Sequence, residues 1–147
     1  MIRQRALVVD TSVAVKWFFD EPGTPQALQL LQEFQSGQRA VLAPDLIYSE
    51  FANAVLKRVV KGDLDAKDGM VVIEAFEKLP VEVTAARGMA APAYELALRF
   101  SITVYDALFV ARSQLTSTDL VTADERLHRA IVSLGHVRLL ADWDLSS

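Results

Sequence analysis

Cysteine does not occur in this chain, which removes disulfide frameworks, thiolate zinc clusters and cysteine nucleophiles at once. That composition is compatible with a reducing intracellular compartment, and the metal chemistry it leaves open is oxygen chemistry. Histidine is nearly missing too. His128 and His136 are the only two, and at eight residues apart they lack metal-ligand spacing and read as surface residues. No apolar run approaches the roughly 20 residues that span a bilayer, and the one in "MIRQRALVVD" is too short for a signal segment. The expectation is therefore a soluble, cytoplasmic protein with no membrane association. Positive charge is also short, with 15 Lys and Arg against 19 Asp and Glu for a net charge of -4. This argues against holding nucleic acid by bulk potential and leaves a local basic rim or bound cations as the routes. A Gly-x-Ser-x-Gly elbow, as a Ser-His-Asp hydrolase needs, is absent, as are internal repeats, linkers and low-complexity segments.

What is present is apolar: 52% of 147 residues are hydrophobic, enough for one domain, residues 1–147, with a sizeable core. Short β-branched runs alternate with stretches of helical period, the pattern of an α/β sheet covered on both faces. "ALVV" at 6–9 is the first predicted strand, followed by a short helix at 13–19 and a break at "EPG". "TPQALQLLQEFQSG" predicts a helix with Pro25 in its first turn and Gly37 just past its end, burying Ala27, Leu30, Leu31 and Phe34. "AVLA" at 40–43 is a second strand. A helix over 45–61 follows, with Ile47, Phe51, Ala54, Val55 and Val59 inward, then a helix over 65–78. "VEVT" at 81–84 is a third strand, and 89–100 a helix. In "SITVYDALFVARSQL" a β-branched run ends at an aspartate and a helix begins at once, apolar almost all round and hence expected at the centre of the fold. Leu120 to Thr122 is a fourth strand, "HVRLL" at 136–140 a last edge strand, and the final "DWDLSS" is expected to fray.

Asp10, Asp106 and Asp124 each fall at or just beyond the C-terminal end of a predicted strand, where ligands bind in open α/β sheets. Glu50 sits on the helix after the second strand, on a face shared with Asn53 and Lys57. Each acid alone has an ordinary role. Asp10 and Asp106 precede helices and would cap them, for about 1 kcal/mol. Thr122 and Glu125 fit a capping box, leaving Asp124 as a first-turn acid. Glu50 fits a solvated helix face. In combination the acids are harder to explain, because the "VVD" and "VYD" junctions set carboxylates among apolar neighbours. Crowding them without a counterion raises their pKa values and destabilises the fold. A divalent cation answers both problems: Mg²⁺ or Mn²⁺ takes hard oxygen ligands, keeps several waters and needs only one or two direct carboxylates. Such a site suits phosphodiester hydrolysis by activated water. Thr11, Ser12 and Thr122 would then hold a water or phosphate oxygen, or serve as local caps.

The stretches "VVDTSVAVKWF", "PDLIYSEFANAV", "VYDALFVA" and "LVTADERL", in this order and spacing, resemble the PIN-domain ribonucleases, and among them the VapC-type toxins of toxin-antitoxin operons. The resemblance spans nearly the whole chain. It implies a single PIN domain, built as a three-layer α/β/α sandwich around a central, mainly parallel sheet of four to five strands. The family's acidic quartet falls on Asp10, Glu50, Asp106 and Asp124, as catalytic residues and metal ligands. Its supporting polar residues fall on Thr11 or Ser12, Asn53 and Thr122. The activity implied is that of a Mg²⁺- or Mn²⁺-dependent endoribonuclease acting on an RNA substrate. A VapB-type antitoxin would inhibit it, often by bringing a basic side chain into the acidic pocket, and the toxin would commonly form a homodimer.

Competing readings fare less well. A haloacid-dehalogenase-like phosphatase needs a second aspartate where Ser12 stands, and a phospho-receiver needs a late lysine that "LVTADERL" lacks. A catalytically silent PIN-like module that binds RNA or protein, or a solitary PIN nuclease of RNA processing, stays open as an alternative. Arg112, in the apolar helix after Asp106, either reaches toward phosphate or snorkels at the helix edge. Lys57, Arg58 and Lys61, with Arg126 and Arg129, either flank an RNA path or are simply solvated.

Overall fold

The computed structural model describes residues 5–145. Its centre is β1 (Arg5–Val9), in which Leu7, Val8 and Val9 are at most 2% exposed. A strand buried on both faces reads as a continuous apolar run, and its usual setting is a parallel sheet. The other strands are β2 (Arg39–Pro44), β3 (Glu82–Thr84), β4 (Asp119–Thr122) and β5 (Val137–Leu139). They form one five-stranded sheet in the order β3-β2-β1-β4-β5 with every neighbouring pair parallel. The register sets Leu7 beside Val41 and Val8 beside Leu120, so the middle of the sheet is apolar across three strands.

The helices are α1 (Thr11–Val15), α2 (Thr24–Gln35), α3 (Leu46–Val60), α4 (Ala66–Glu77), α5 (Ala90–Phe100), α6 (Val104–Thr116) and α7 (Glu125–Ile131). Parallel strands need crossovers, and right-handed ones put α1 to α4 on one face and α5 to α7 on the other. The packing agrees, since α1 meets α3, α3 meets α4, and α5 meets α6. On the first face Phe51 stacks on Phe76 with ring centroids 4.3 Å apart, and Trp17, Phe18 and Tyr48 surround Phe76. Gly69 lets α4 close on α3: a Cβ there would stand 3.1 Å from Val55 and 3.2 Å from Val59. On the second face α6 buries Ala107 to Ala111 without interruption, as its all-round apolar sequence predicts.

Strand order decides where a ligand sits. The chain moves outward from β1 through β2 to β3, then returns to the other side of β1 as β4. Neighbouring loops therefore diverge between β1 and β4, and the C-terminal ends of those two strands form the switch-point crevice.

Several local expectations are corrected. No strand precedes Asp106: residues 101–103 are irregular, and Thr103 caps α6 by accepting the Asp106 backbone N–H, 3.1 Å. The Thr-x-x-Asp spacing is a capping pattern, and it prevails over β-branched propensity there. The first short helix starts at Thr11 rather than 13 and ends at Val15. Fraying does not begin at "DWD", because Trp143 is 5% exposed and its indole N–H donates to Glu33, 2.9 Å. The last two residues of that segment, Ser146 and Ser147, lie outside the described residues.

Candidate active site

Asp10 follows β1 directly, and its backbone N–H still donates to Val121 of β4, 3.3 Å. It occupies the N-cap position of α1, yet its side chain makes no capping bond. Ser12 Oγ donates to one carboxylate oxygen and Thr122 Oγ1 to the other, both at 2.5 Å. The same hydroxyls accept backbone N–H groups of the β4–α7 turn: Ala123 N–H reaches Ser12 at 2.9 Å and Asp124 N–H reaches Thr122 at 3.0 Å. Two hydroxyls thus lock the carboxylate across the switch point and tie both strand ends together. Asp10 is 6% exposed. Burial pushes its pKa up to about 6, against the pull of Ser12 and Thr122 and with a further push from the charge on Asp106.

Glu50 comes from α3 and accepts a hydrogen bond from Thr11 Oγ1, 2.7 Å. Half-burial raises its pKa; Thr11 opposes the rise and Asp106 adds to it. Asp106 stands in the first turn of α6 and is raised by burial and by Asp124, while Thr103 and Arg126 act the other way. Asp124 is exposed and caps α7, accepting from Arg126 N–H at 3.0 Å and Leu127 N–H at 3.1 Å. The capping box expected for Thr122 and Glu125 is therefore replaced. Thr122 is still within β4, where its hydroxyl is committed to Asp10, and Asp124 itself is the cap.

All four acids thus lie at one end of the sheet and are electrostatically linked through Asp106, whose charge acts on Asp10 and Glu50 and which is itself acted on by Asp124. A cleft of about 160 Å³, lined by Thr103, Asp106, Asp124 and Arg126, opens on one side of Asp106. A second, shallower hollow is lined by Leu46, Ser49, Glu50, Asn53 and Tyr105. Thr11, Ser12 and Thr122 are engaged with acids, whereas Asn53 is exposed in the hollow. The residues able to hold a metal are the four carboxylates, all hard oxygen donors. Among the described residues no three acidic or imidazole groups are gathered closely enough to enclose an ion unaided.

The remaining polar candidates separate cleanly. Arg112 donates to the Glu82 carbonyl on edge strand β3 at 3.4 Å. Arg58 is bound to Glu21 at 2.6 Å and lies over the Phe19 ring. Arg129 pairs with Glu125 at 4.0 Å. Of the basic residues named from the sequence, Arg126 is the one lining the acidic cleft. The histidines are half-buried rather than superficial, and His136 Nδ1 meets Ser113 Oγ at 3.1 Å. Tyr105, 62% exposed beside Asp106, was not picked out by sequence reasoning. Its signal is an aromatic side chain directly before an acid at the head of an otherwise apolar helix.

The crystal structure of PAE2754 from Pyrobaculum aerophilum shares the fold with a TM-score of 0.64 at 19% identity, covering 87% of each chain. Ribonuclease VapC12 of Mycobacterium tuberculosis is 29% identical over 136 residues, covering 92% of this chain and 99% of that protein. Ribonuclease VapC9 of the same organism is 29% identical over 121 residues, covering 82% and 87%. The family model described as PIN domain matches residues 7–132, from the first strand through all four acids to the end of α7. The chain belongs to the PIN domain family.

Proposed function

We propose that this protein is a Mg²⁺- or Mn²⁺-dependent endoribonuclease, the toxin of a toxin-antitoxin pair, cutting RNA at Asp10, Glu50, Asp106 and Asp124. The observation that carries the reading is the electrostatic strain of the acids: Asp10, Glu50 and Asp106 are all shifted upward, by burial first and then by a neighbouring carboxylate, Asp106 for the first two and Asp124 for the third. Among the described residues Arg126 is the one basic side chain lining the cleft beside them. Carboxylates held in this way suit a site that receives positive charge from outside the chain. The relatives named ribonucleases VapC9 and VapC12 support the reaction class.

A hard divalent ion fits the donors present. It needs one or two direct carboxylates and fills its other positions with water, so the lack of a closed protein cage is no obstacle. Asp10, the most buried of the four, and Asp106, whose charge reaches both Asp10 and Glu50, would hold it, with Glu50 and Asp124 acting directly or through water. The chemistry such an ion supplies when bound is added charge at the phosphate and a lower pKa for the attacking water. The chain does the rest. Ser12 and Thr122 keep the Asp10 carboxylate in one orientation, and Thr11 does so for Glu50. Arg126 offers a guanidinium to a phosphate lying in the cleft.

A VapB-type antitoxin and a second copy of the chain complete the proposal as partners. Leu56 and Val60 of α3, with Met70 and Val71 of α4, are each more than half exposed and give apolar surface to such contacts. The test is cleavage of cellular RNA by the purified protein with and without Mg²⁺. Asp106→Asn is expected to lower cleavage on the order of 100-fold or more, as loss of a preorganised charged group does, and to relieve growth inhibition, with the circular dichroism spectrum unchanged. Metal-dependent cleavage by the variant at the wild-type rate would defeat the assignment.

A further inference from the structure

We propose that Tyr105, Leu46 and Asn53 form a subsite for one unpaired nucleobase of the RNA, adjoining the phosphate held at the acids. This rests on the nuclease reading above and adds the class of group that the hollow accepts.

The hollow of about 220 Å³ on the Glu50 side of the site is lined by Leu46, Ser49, Glu50, Asn53 and Tyr105. Among the described residues its lining contains no cation, so it is poorly made for a phosphate. It does contain an aliphatic side chain, an exposed amide and an exposed aromatic ring, the three groups that bind a base by face and edge. Tyr105 is the second residue of α6, which buries every position from Ala107 to Ala111, yet Tyr105 itself is 62% exposed. Among the described residues its ring stacks on no other aromatic ring, whereas Tyr48 packs against Phe76 with centroids 5.4 Å apart.

Tyr105 and Asp106 are consecutive on α6, and the first lines the hollow while the second lines the cleft. Glu50 belongs both to the hollow and, through the charge of Asp106, to the linked acids. A strand of RNA with a phosphate against Asp106 and Arg126 would therefore have a neighbouring base over Tyr105. There Asn53 can both donate to and accept from the base edge. Single-stranded loops, whose bases are free to splay out, are the substrates such a platform favours.

The experiment is a variant series crossed with an abasic scan. RNA oligonucleotides cut by the wild type are remade with one base removed at each position around the cleavage point, and kcat and KM are measured. Loss of base stacking is expected to raise KM of Tyr105→Ala about 5- to 150-fold with kcat less affected, while Tyr105→Phe stays near wild type. One abasic position should cost the wild type a similar factor and cost Tyr105→Ala little, because the two changes remove the same contact. Equal abasic penalties in both proteins, or an unchanged KM for Tyr105→Ala, would overturn the subsite while leaving the nuclease standing. So would a Tyr105→Ala variant altered only in its affinity for a protein partner. If the wild type neither binds nor cuts any RNA, there is no cleavage point to scan, and the nuclease reading falls together with the subsite.

Discussion

At the N-terminal end of the sheet Glu33 is 8% exposed, with Arg39 Nε 2.8 Å away and the Trp143 indole N–H at 2.9 Å. At the C-terminal end Asp10 is 6% exposed, and its side-chain partners are two hydroxyls. Burial raises both carboxyl groups, but at Glu33 the bonds and charge of Arg39 and the bond from Trp143 reverse the sign, so its pKa is lowered. At Asp10 the hydroxyls only moderate the rise, which stops at about 6. Glu21 follows Glu33, lowered by Lys16 and Arg58. Depth of burial therefore does not distinguish a site acid from a structural one. The distinction lies in whether the fold brings it a cation.

The largest effect expected from breaking this contrast is at the structural end. Arg39→Met leaves Glu33 buried without its charge partner and also removes the guanidinium 4.9 Å from the Trp143 ring. Losing one member of a buried pair costs about 3–5 kcal/mol, and the residual donors Trp143 and Gln29 bring the expectation to about 2–3 kcal/mol. Urea unfolding at neutral pH measures it. The pH profile adds a check of sign. A carboxyl group with a lowered folded pKa stabilises above its unfolded value of 4.5 and loses that contribution as pH falls through the folded value. The variant should lack this acid-side loss. A stability change below about 0.5 kcal/mol, the range of an ordinary surface substitution, would mean that the pair is not holding the end together.

The opposite slope is expected at Asp10. Its folded pKa, about 6, lies above the ordinary 3.8, so the folded state holds the proton more tightly. Stability from that group is complete below about pH 4, declines as pH rises toward 6, and is flat beyond. The gap between those two pKa values corresponds to about 3 kcal/mol. Asp10→Asn removes this decline but leaves one hydroxyl without a carboxylate oxygen. It is therefore expected to be more stable than the wild type at pH 7 by about 1–2 kcal/mol, after allowing about 1 kcal/mol for the lost hydrogen bond. The same variant should lose RNA cleavage. Denaturation at pH 4 and pH 7 without divalent ions tests the first statement, and a variant less stable than the wild type at pH 7 would remove its basis. Adding Mg²⁺ should raise the melting temperature of the wild type more than that of the variant, because binding to the folded state stabilises it.

These contrasts are only partly open to sequence reading. β1 is legible because a strand buried on both faces carries apolar residues without alternation, and α2 because Thr24–Pro25 and Gly37 mark its ends. The convergence of the acids follows from a rule about strand ends that holds for Asp10 and Asp124. Asp106 arrives differently, from a helix start, because the Thr103 hydroxyl captures the backbone where "ITVY" by propensity suggests a strand. Hydroxyl roles near β4 are interchanged for a similar reason: whether Thr122 or Asp124 caps α7 depends on Asp10, 112 residues away from Thr122, claiming the threonine. The anchoring of Trp143 by Glu33 spans 110 residues and has no local signature at all. Short-range hydrogen-bond chemistry is readable where one partner is available, and fails where a distant residue competes for it.

The smallest effect concerns two arginines on α7, at the acidic end of the sheet. Arg126 lines the cleft and its charge bears on Asp106, yet among the described residues it forms no ion pair within 4.0 Å. Arg129, one turn on, pairs with Glu125 at 4.0 Å, with both side chains more than 70% exposed. Such a surface pair contributes about 0–1 kcal/mol and is screened by salt. If the acids draw in substrate only through bound cations, neither arginine matters. If the chain supplies one phosphate contact of its own, Arg126→Gln should weaken RNA binding several-fold and reduce the salt dependence by about 0.7 in log–log slope, the value for one contact to a single strand. Arg129→Gln should change neither. Binding titrations from low to moderate salt separate the cases, and equal slopes for the two variants would return the acidic end to a site with no cation of its own.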